Sequence, residues 1–190
     1  EQTMIVDKGS SFVDPGCSAL LEGEDVTSQV VVNSNVDTEK SGIYSVSYQV
    51  TNTDGFPSTV KRRVIVLDPD NDIEGLYIVA EDSYRDMEGT ITEYSGYEVL
   101  VIGEEDGSYK FSDLFGGYYD IRAGYGSSYA MESYIGIEDD NTVTAYDTYV
   151  AGWDDSADDV RGSYDASKKS FTLEVDYAGQ MTFYITLTKN

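Results

Sequence analysis

The chain has no histidine and a single cysteine, Cys17, in 190 residues. The first absence removes serine–histidine–aspartate and cysteine–histidine nucleophilic sets, imidazole metal ligands and a histidine pH switch together. The second leaves no partner for an intramolecular disulfide and no second thiolate for a metal cage. Bases are scarce, 12 against 36 acids, giving a formal charge of −24 at pH 7. A field of that sign repels phosphate backbones and anionic headgroups, which argues against nucleic acid and against direct binding to a membrane surface. No apolar run approaches the roughly 20 residues that cross a bilayer as a helix. The chain opens at Glu1 without a secretory leader, so secretion implies a targeting segment already removed.

What remains is a chain built to fold. Apolar residues make up 40% and aromatics 13%, too much buryable surface for a disordered polymer. The two halves differ. Residues 1–69 carry 10 acids and 5 bases, whereas 70–190 carry 26 acids and 7 bases. Of 17 tyrosines, only Tyr44 and Tyr48 lie in the first part, and the single tryptophan, Trp153, is in the second.

The first part reads as short strands separated by turns: TMIV at 3–6, SQVVVN at 28–33, GIYSVSYQV at 42–50 and VKRRVIVL at 60–67. Tyr44, Val46, Tyr48 and Val50 alternate with Ser45, Ser47 and Gln49, the period of a strand with one buried face. TNTDGFPS at 51–58 supplies a hairpin turn. Strands and turns at this spacing predict a β-sandwich. The strings DPGCSAL at 14–20, GEDVTSQV at 23–30, NVDTEKSGIYSVSYQVTNTDG at 35–55 and VIVLD at 64–68 together resemble the bacterial Ig-like repeat of secreted and surface proteins. The resemblance implies a spacer domain over 1–69. Cys17 stands where that family usually has alanine, which implies a small packing residue rather than a lipid-attachment site.

LDPDNDIEG at 67–75 marks the boundary. Asp68, Asp70 and Asp72 alternate there as in a calcium loop, but Ile73 occupies the position an EF-hand gives to glycine; a Ca²⁺ site and a solvated linker both remain open. Beyond it, residues 73–190 read as β again, with about eight antiparallel strands joined by tight turns. That predicts a meander closing into a small barrel. The opening GLY at 75–77, YKFSDLFGGYY at 109–119, IEDDN at 137–141, GSYD at 162–165 and MTFYITL at 181–187 resemble the lipocalin-like C-terminal domains that follow Ig-like modules in surface lipoproteins of gut Bacteroidetes. That likeness implies an outer-membrane, lipid-anchored protein at the cell surface, associated with polysaccharide use.

The candidate site is aromatic. AGWDDSADD at 151–159 places Trp153 beside Asp154 and Asp155 in a loop, a flat apolar face for a sugar ring with carboxylates for its hydroxyls. The competing reading has Trp153 capping one end of the barrel. Tyr77, Tyr109, Tyr164, Tyr177 and Tyr184 lie in strand-like runs and read as packing. In FGGYYDIRAGYGSSYAMESYIG at 115–136, Tyr118, Tyr119 and Tyr134 read as barrel packing within the strand meander, while Tyr125 and Tyr129 in its turn read as exposed rings. Lys61, Arg62 and Arg63 form the basic cluster, read as surface charge or as docking against the acidic second part. With no carboxylate pair singled out by its surroundings, no enzyme is expected. The sequence thus points to an all-β, two-domain protein, an Ig-like β-sandwich followed by an antiparallel lipocalin-like barrel, with glycan binding as its activity and a structural or protein-interaction module as the alternative.

Overall fold

The computed structural model describes residues 2–190. The chain divides into two compact units, one ending at Asp70 and one beginning at Asn71.

The first unit contains strands β1 (Gln2–Asp7), β2 (Leu20–Leu21), β3 (Glu24–Asp25), β4 (Val31–Ser34), β5 (Gly42–Thr51) and β6 (Pro57–Leu67), with a 3₁₀ turn at Thr27–Gln29. Its main sheet runs β1-β6-β5-β4, parallel at β1–β6 and antiparallel elsewhere, while β2 and β3 pair as a separate ribbon. The alternation in β5 works as its residues dictate: Val46 and Tyr48 are buried, and Ile43, Gln49 and Thr51 face out. Val64 of β6 joins Val46 and Tyr48, and Phe12, Cys17 and Val30 pack on them from outside the sheet. Cys17 is a half-buried free thiol. The β5–β6 turn is held by Asn52, whose Oδ1 accepts the Phe56 amide at 2.8 Å, and Gly55 takes φ 87°.

Here one member of the basic cluster, Arg62, departs from a surface reading, while Lys61 is exposed. Arg62 is only 8% exposed. Strand alternation turns it away from Lys61 and Arg63 towards the core, where its guanidinium donates to the Asp14 carboxylate, the Tyr48 hydroxyl and the Gly16 carbonyl. Tyr48 in turn donates to Asp14, and burial followed by that carboxylate pushes its pKa up to about 12. The D-P-G string is thus one half of a buried polar lock.

The second unit contains β7 (Gly75–Val79), β8 (Tyr84–Met87), β9 (Thr90–Glu93), β10 (Glu98–Gly103), β11 (Tyr109–Phe111), β12 (Glu132–Ile137), β13 (Val143–Tyr149), β14 (Asp159–Asp165), β15 (Ser170–Tyr177) and β16 (Met181–Lys189). They form one ten-stranded sheet in the order β13-β12-β11-β10-β7-β16-β15-β14, with the β8–β9 hairpin joined to β16. The nine-residue β16 serves two neighbours, pairing β8 along Met181–Tyr184 and β7 along Leu187–Lys189. The sheet curls round its core, and its end strands touch at one corner, the Thr142–Ser163 bridge. Eight strands were expected; the β8–β9 hairpin is the addition. Its turn uses Glu88 and Gly89 at φ 51° and 87°, the two-residue geometry that matches strand twist.

The core is aromatic. Phe171, Leu173, Val175 and Tyr177 alternate inward along β15, and Phe183, Ile185 and Leu187 do so along β16. Each such side chain contributes about 1.5–3 kcal/mol on burial. Phe115 sits edge-on to Tyr119 and Tyr177, both at 5.0 Å, and 4.7 Å from Phe183.

Between β11 and β12 the chain is not a strand, so the part of 115–136 before Glu132 interrupts the meander, while Glu132–Gly136 belong to β12. Residues Tyr118–Arg122 form a π turn and Ser127–Tyr129 a 3₁₀ turn. Asp113 explains the fold of this segment. It is 5% exposed, and its carboxylate accepts the amides of Gly117, Met131 and Phe115 at 2.7, 2.8 and 2.9 Å. The segment is thereby gathered into a plug that drives Tyr118 and Tyr119 into the core. Burial raises the Asp113 pKa to about 6 against the pull of those three amides. Tyr134, by contrast, lies half-buried on β12 with the Lys110 ammonium 5.7 Å from its ring centre.

Candidate functional site

Two segments meet at the plug. Val150, fully buried, anchors the loop after β13, and its amide donates to Asp155 O at 2.8 Å. Asp154 takes φ 54°, a left-handed conformation that turns the chain sharply. The Gly152 amide donates to Ser128 O at 2.6 Å, docking this loop on the 3₁₀ turn. Glycine is required at 152, since a Cβ there would lie 2.6 Å from the Tyr129 ring.

This docking brings Trp153, Tyr125 and Tyr129 together. The indole stands 4.8 Å from Tyr129 and 6.1 Å from Tyr125, with an interplanar angle of 85° to the latter. Below it lie Tyr119, edge-on at 4.7 Å, and Tyr177 at 6.1 Å. Trp153 is 39% exposed and Tyr125 56% exposed, so two rings meet solvent nearly at right angles. Tyr129 differs from the exposed-ring reading: it is half-buried, packed against the core, with the backbone of Gly152 against its ring.

The carboxylates are exposed but engaged. Asp154 Oδ1 accepts the Tyr149 hydroxyl at 2.8 Å, and Asp155 Oδ1 accepts the Ser156 amide at 2.8 Å. Burial first, and Asp155 next, push the Tyr177 pKa up to about 12. Tyr119, Tyr149 and Tyr177 were missed as parts of this site. Tyr149 carried a signal, five residues before Asp154 at the mouth of the same loop; Tyr119 and Tyr177 reach it only through the fold.

The acidic stretch at the boundary shows a different use of charge. Asp68 Oδ1 accepts the Asp70 amide at 3.0 Å and its other oxygen pairs with Lys8 at 3.2 Å. Asp72 pairs with Lys169 at 2.8 Å. The Asp68 pKa is held down by the Asp70 amide and then Lys8, that of Asp72 by Lys169. Among the described residues no group of three or more acids stands close enough together to hold a metal ion.

The fold has a known counterpart. The crystal structure of the lipoprotein BT2262 from Bacteroides thetaiotaomicron is 39% identical, covers 100% of this chain and 96% of its own, and superposes with a TM-score of 0.90. The chain belongs to the family of that lipoprotein. A model for the Ig-like domain of bacterial surface proteins matches residues 1–66 and a C-terminal domain model matches 67–189. The CBM51-2 and INT domains of Clostridium perfringens ZmpB, in complex with GlcNAc, align with 98% of this chain and 42% of theirs at 13% identity and a TM-score of 0.31, too low for a shared fold. No curated protein matches the sequence.

Proposed function

We propose that this family member is a non-enzymatic cell-surface lipoprotein whose second unit binds glycan weakly. The surface placement is supported by its kinship with a lipoprotein and by its bacterial surface Ig-like module. Lipid anchoring to an outer membrane, with the Ig-like unit as spacer, is the finer form of the same reading. The observation that carries the binding is the pair of exposed rings, Trp153 and Tyr125, set at 85° and braced from below by Tyr119 and Tyr177. Braced rings lose little freedom on binding, and each offers a face for CH–π stacking on a sugar, with the exposed edges of Asp154 and Asp155 beside them. Affinity electrophoresis and calorimetry against a panel of polysaccharides test this. At least one glycan should retard the protein and Trp153→Ala should abolish the shift; no retardation and no heat from any glycan sinks the reading.

A structural or protein-interaction module is the second reading, favoured by the inward packing of Tyr129 and Tyr119 in the same cluster. A stoichiometric protein recovered with the native surface complex, together with silent glycan titrations, would favour it.

A further inference from the structure

Beyond the Thr142–Ser163 bridge the end strands of the curled sheet form no ladder with each other and leave a cleft of about 470 Å³ between them. It is closed at one end by the Thr142–Ser163 bridge and the Tyr164 amide on Asn141 O at 2.9 Å. At the other end the Ala157 amide donates to Thr148 Oγ1 at 3.0 Å. Between these ties no backbone hydrogen bond joins Val143–Asp147 to Asp158–Gly162 among the described residues. The floor is apolar, from Val143, Ala145 and Val160, and the walls carry Asp147, Asp158 and Asp159.

The two edges are not alike. β14 is guarded: Arg161 reaches Asp159, Glu174 and Asp176 across its surface. β13 reads VTAYDTY, with high strand propensity and neither lysine nor proline, the devices that usually blunt an edge. An edge of this kind accepts an added strand through main-chain hydrogen bonds, and alternate side chains of that strand meet the floor and the walls. Asp147, Asp158 and Asp159 line the cleft of a chain at −24; Asp159 is paired with Arg161 and Asp158 accepts the Gly179 amide, so Asp147 is the carboxylate that favours a basic strand.

We infer that the free edge of β13 is a docking site for an extended segment of a partner protein, about five residues long, alternating apolar side chains with lysine or arginine. It adds as a strand in the cleft between β13 and β14, independently of the aromatic site.

The probe is a synthetic Lys-Val-Lys-Val-Lys-Val-Lys peptide titrated into the intact protein, followed by backbone amide NMR and calorimetry. Shifts should concentrate on residues 143–148 and 158–162, and affinity should fall at least tenfold with Asp147→Lys, whose side chain is exposed. The same peptide N-methylated at alternate residues keeps its charge but loses ladder donors, and should not bind. Equal binding by the N-methylated peptide, shifts spread over the acidic surface, or no binding at all would each overturn the inference. Trp153→Ala should leave this binding unchanged.

Discussion

The two units solve the same problem, a small β core, in opposite ways. The first keeps a thin apolar cluster round Val46, Tyr48 and Val64 and locks it with charge, through Arg62, Asp14 and the Tyr48 hydroxyl. The second fills a curled sheet with rings and sets one carboxylate, Asp113, where it collects three amides. Tyrosine changes meaning between them. In the first unit Tyr48 matters for its hydroxyl. In the second, rings matter for shape, and those that the core cannot take in stand at its mouth as Trp153 and Tyr125.

The largest test of this contrast is Phe115→Ala, which removes the ring at the centre of the aromatic cluster. It should cost about 4 kcal/mol by the usual scale for phenylalanine truncation in a core, read as lost amide exchange protection in β15 and β16. Arg62→Ala should cost about 3 kcal/mol, because it leaves the half-buried Asp14 without its cation, and the protection lost should be in β5 and β6. If Arg62→Ala were neutral, the charge lock would be an ornament and the two units would be held alike.

Asp113 sharpens the comparison through pH. Its folded pKa of about 6 lies above the ordinary 3.8, so between those values the folded chain holds more proton than the unfolded chain. Stability from this group is therefore full below about pH 4 and is lost as pH rises through 6, by no more than about 3 kcal/mol. Urea unfolding of the wild type and Asp113→Asn across pH 4–7 isolates it: the difference between the two curves should slope in that window and be flat above it. The smallest effect separates the mouth from the core. Tyr125→Ala should change stability by less than about 0.5 kcal/mol, as exposed substitutions do, whereas Tyr119→Ala should cost about 3 kcal/mol. A large loss from Tyr125→Ala would mean that its ring is core after all.

Much of the fold was legible because strands announce themselves locally. The alternation in β5, the hairpin turn at Gly55, and the bacterial Ig-like strings are properties of neighbouring residues. The β8–β9 hairpin escaped because DSYRDMEGTITE carries charge on both faces, so its period was masked and its Glu88-Gly89 turn looked like one more acidic stretch. The site was half legible. Trp153 with Asp154 and Asp155 is contiguous, and Tyr125 and Tyr129 sit in an evident turn. That these meet depends on Gly152 docking on Ser128, a contact between residues 24 apart that no local pattern encodes.

By itself the sequence determined an all-β chain with an Ig-like first part, a tyrosine-laden acidic second part and no histidine or thiolate chemistry. Periodicity, turn residues and composition act over a few residues, and they carry that much. Only the tertiary structure decided that Arg62 is buried, that 115–129 is a plug, and which rings reach solvent. Each depends on a partner distant in the chain: Asp14 for Arg62, Met131 for Asp113, and Ser128 for the loop that carries Trp153. The same holds for the open edge of β13, which exists because the curl of ten strands stops short of closure.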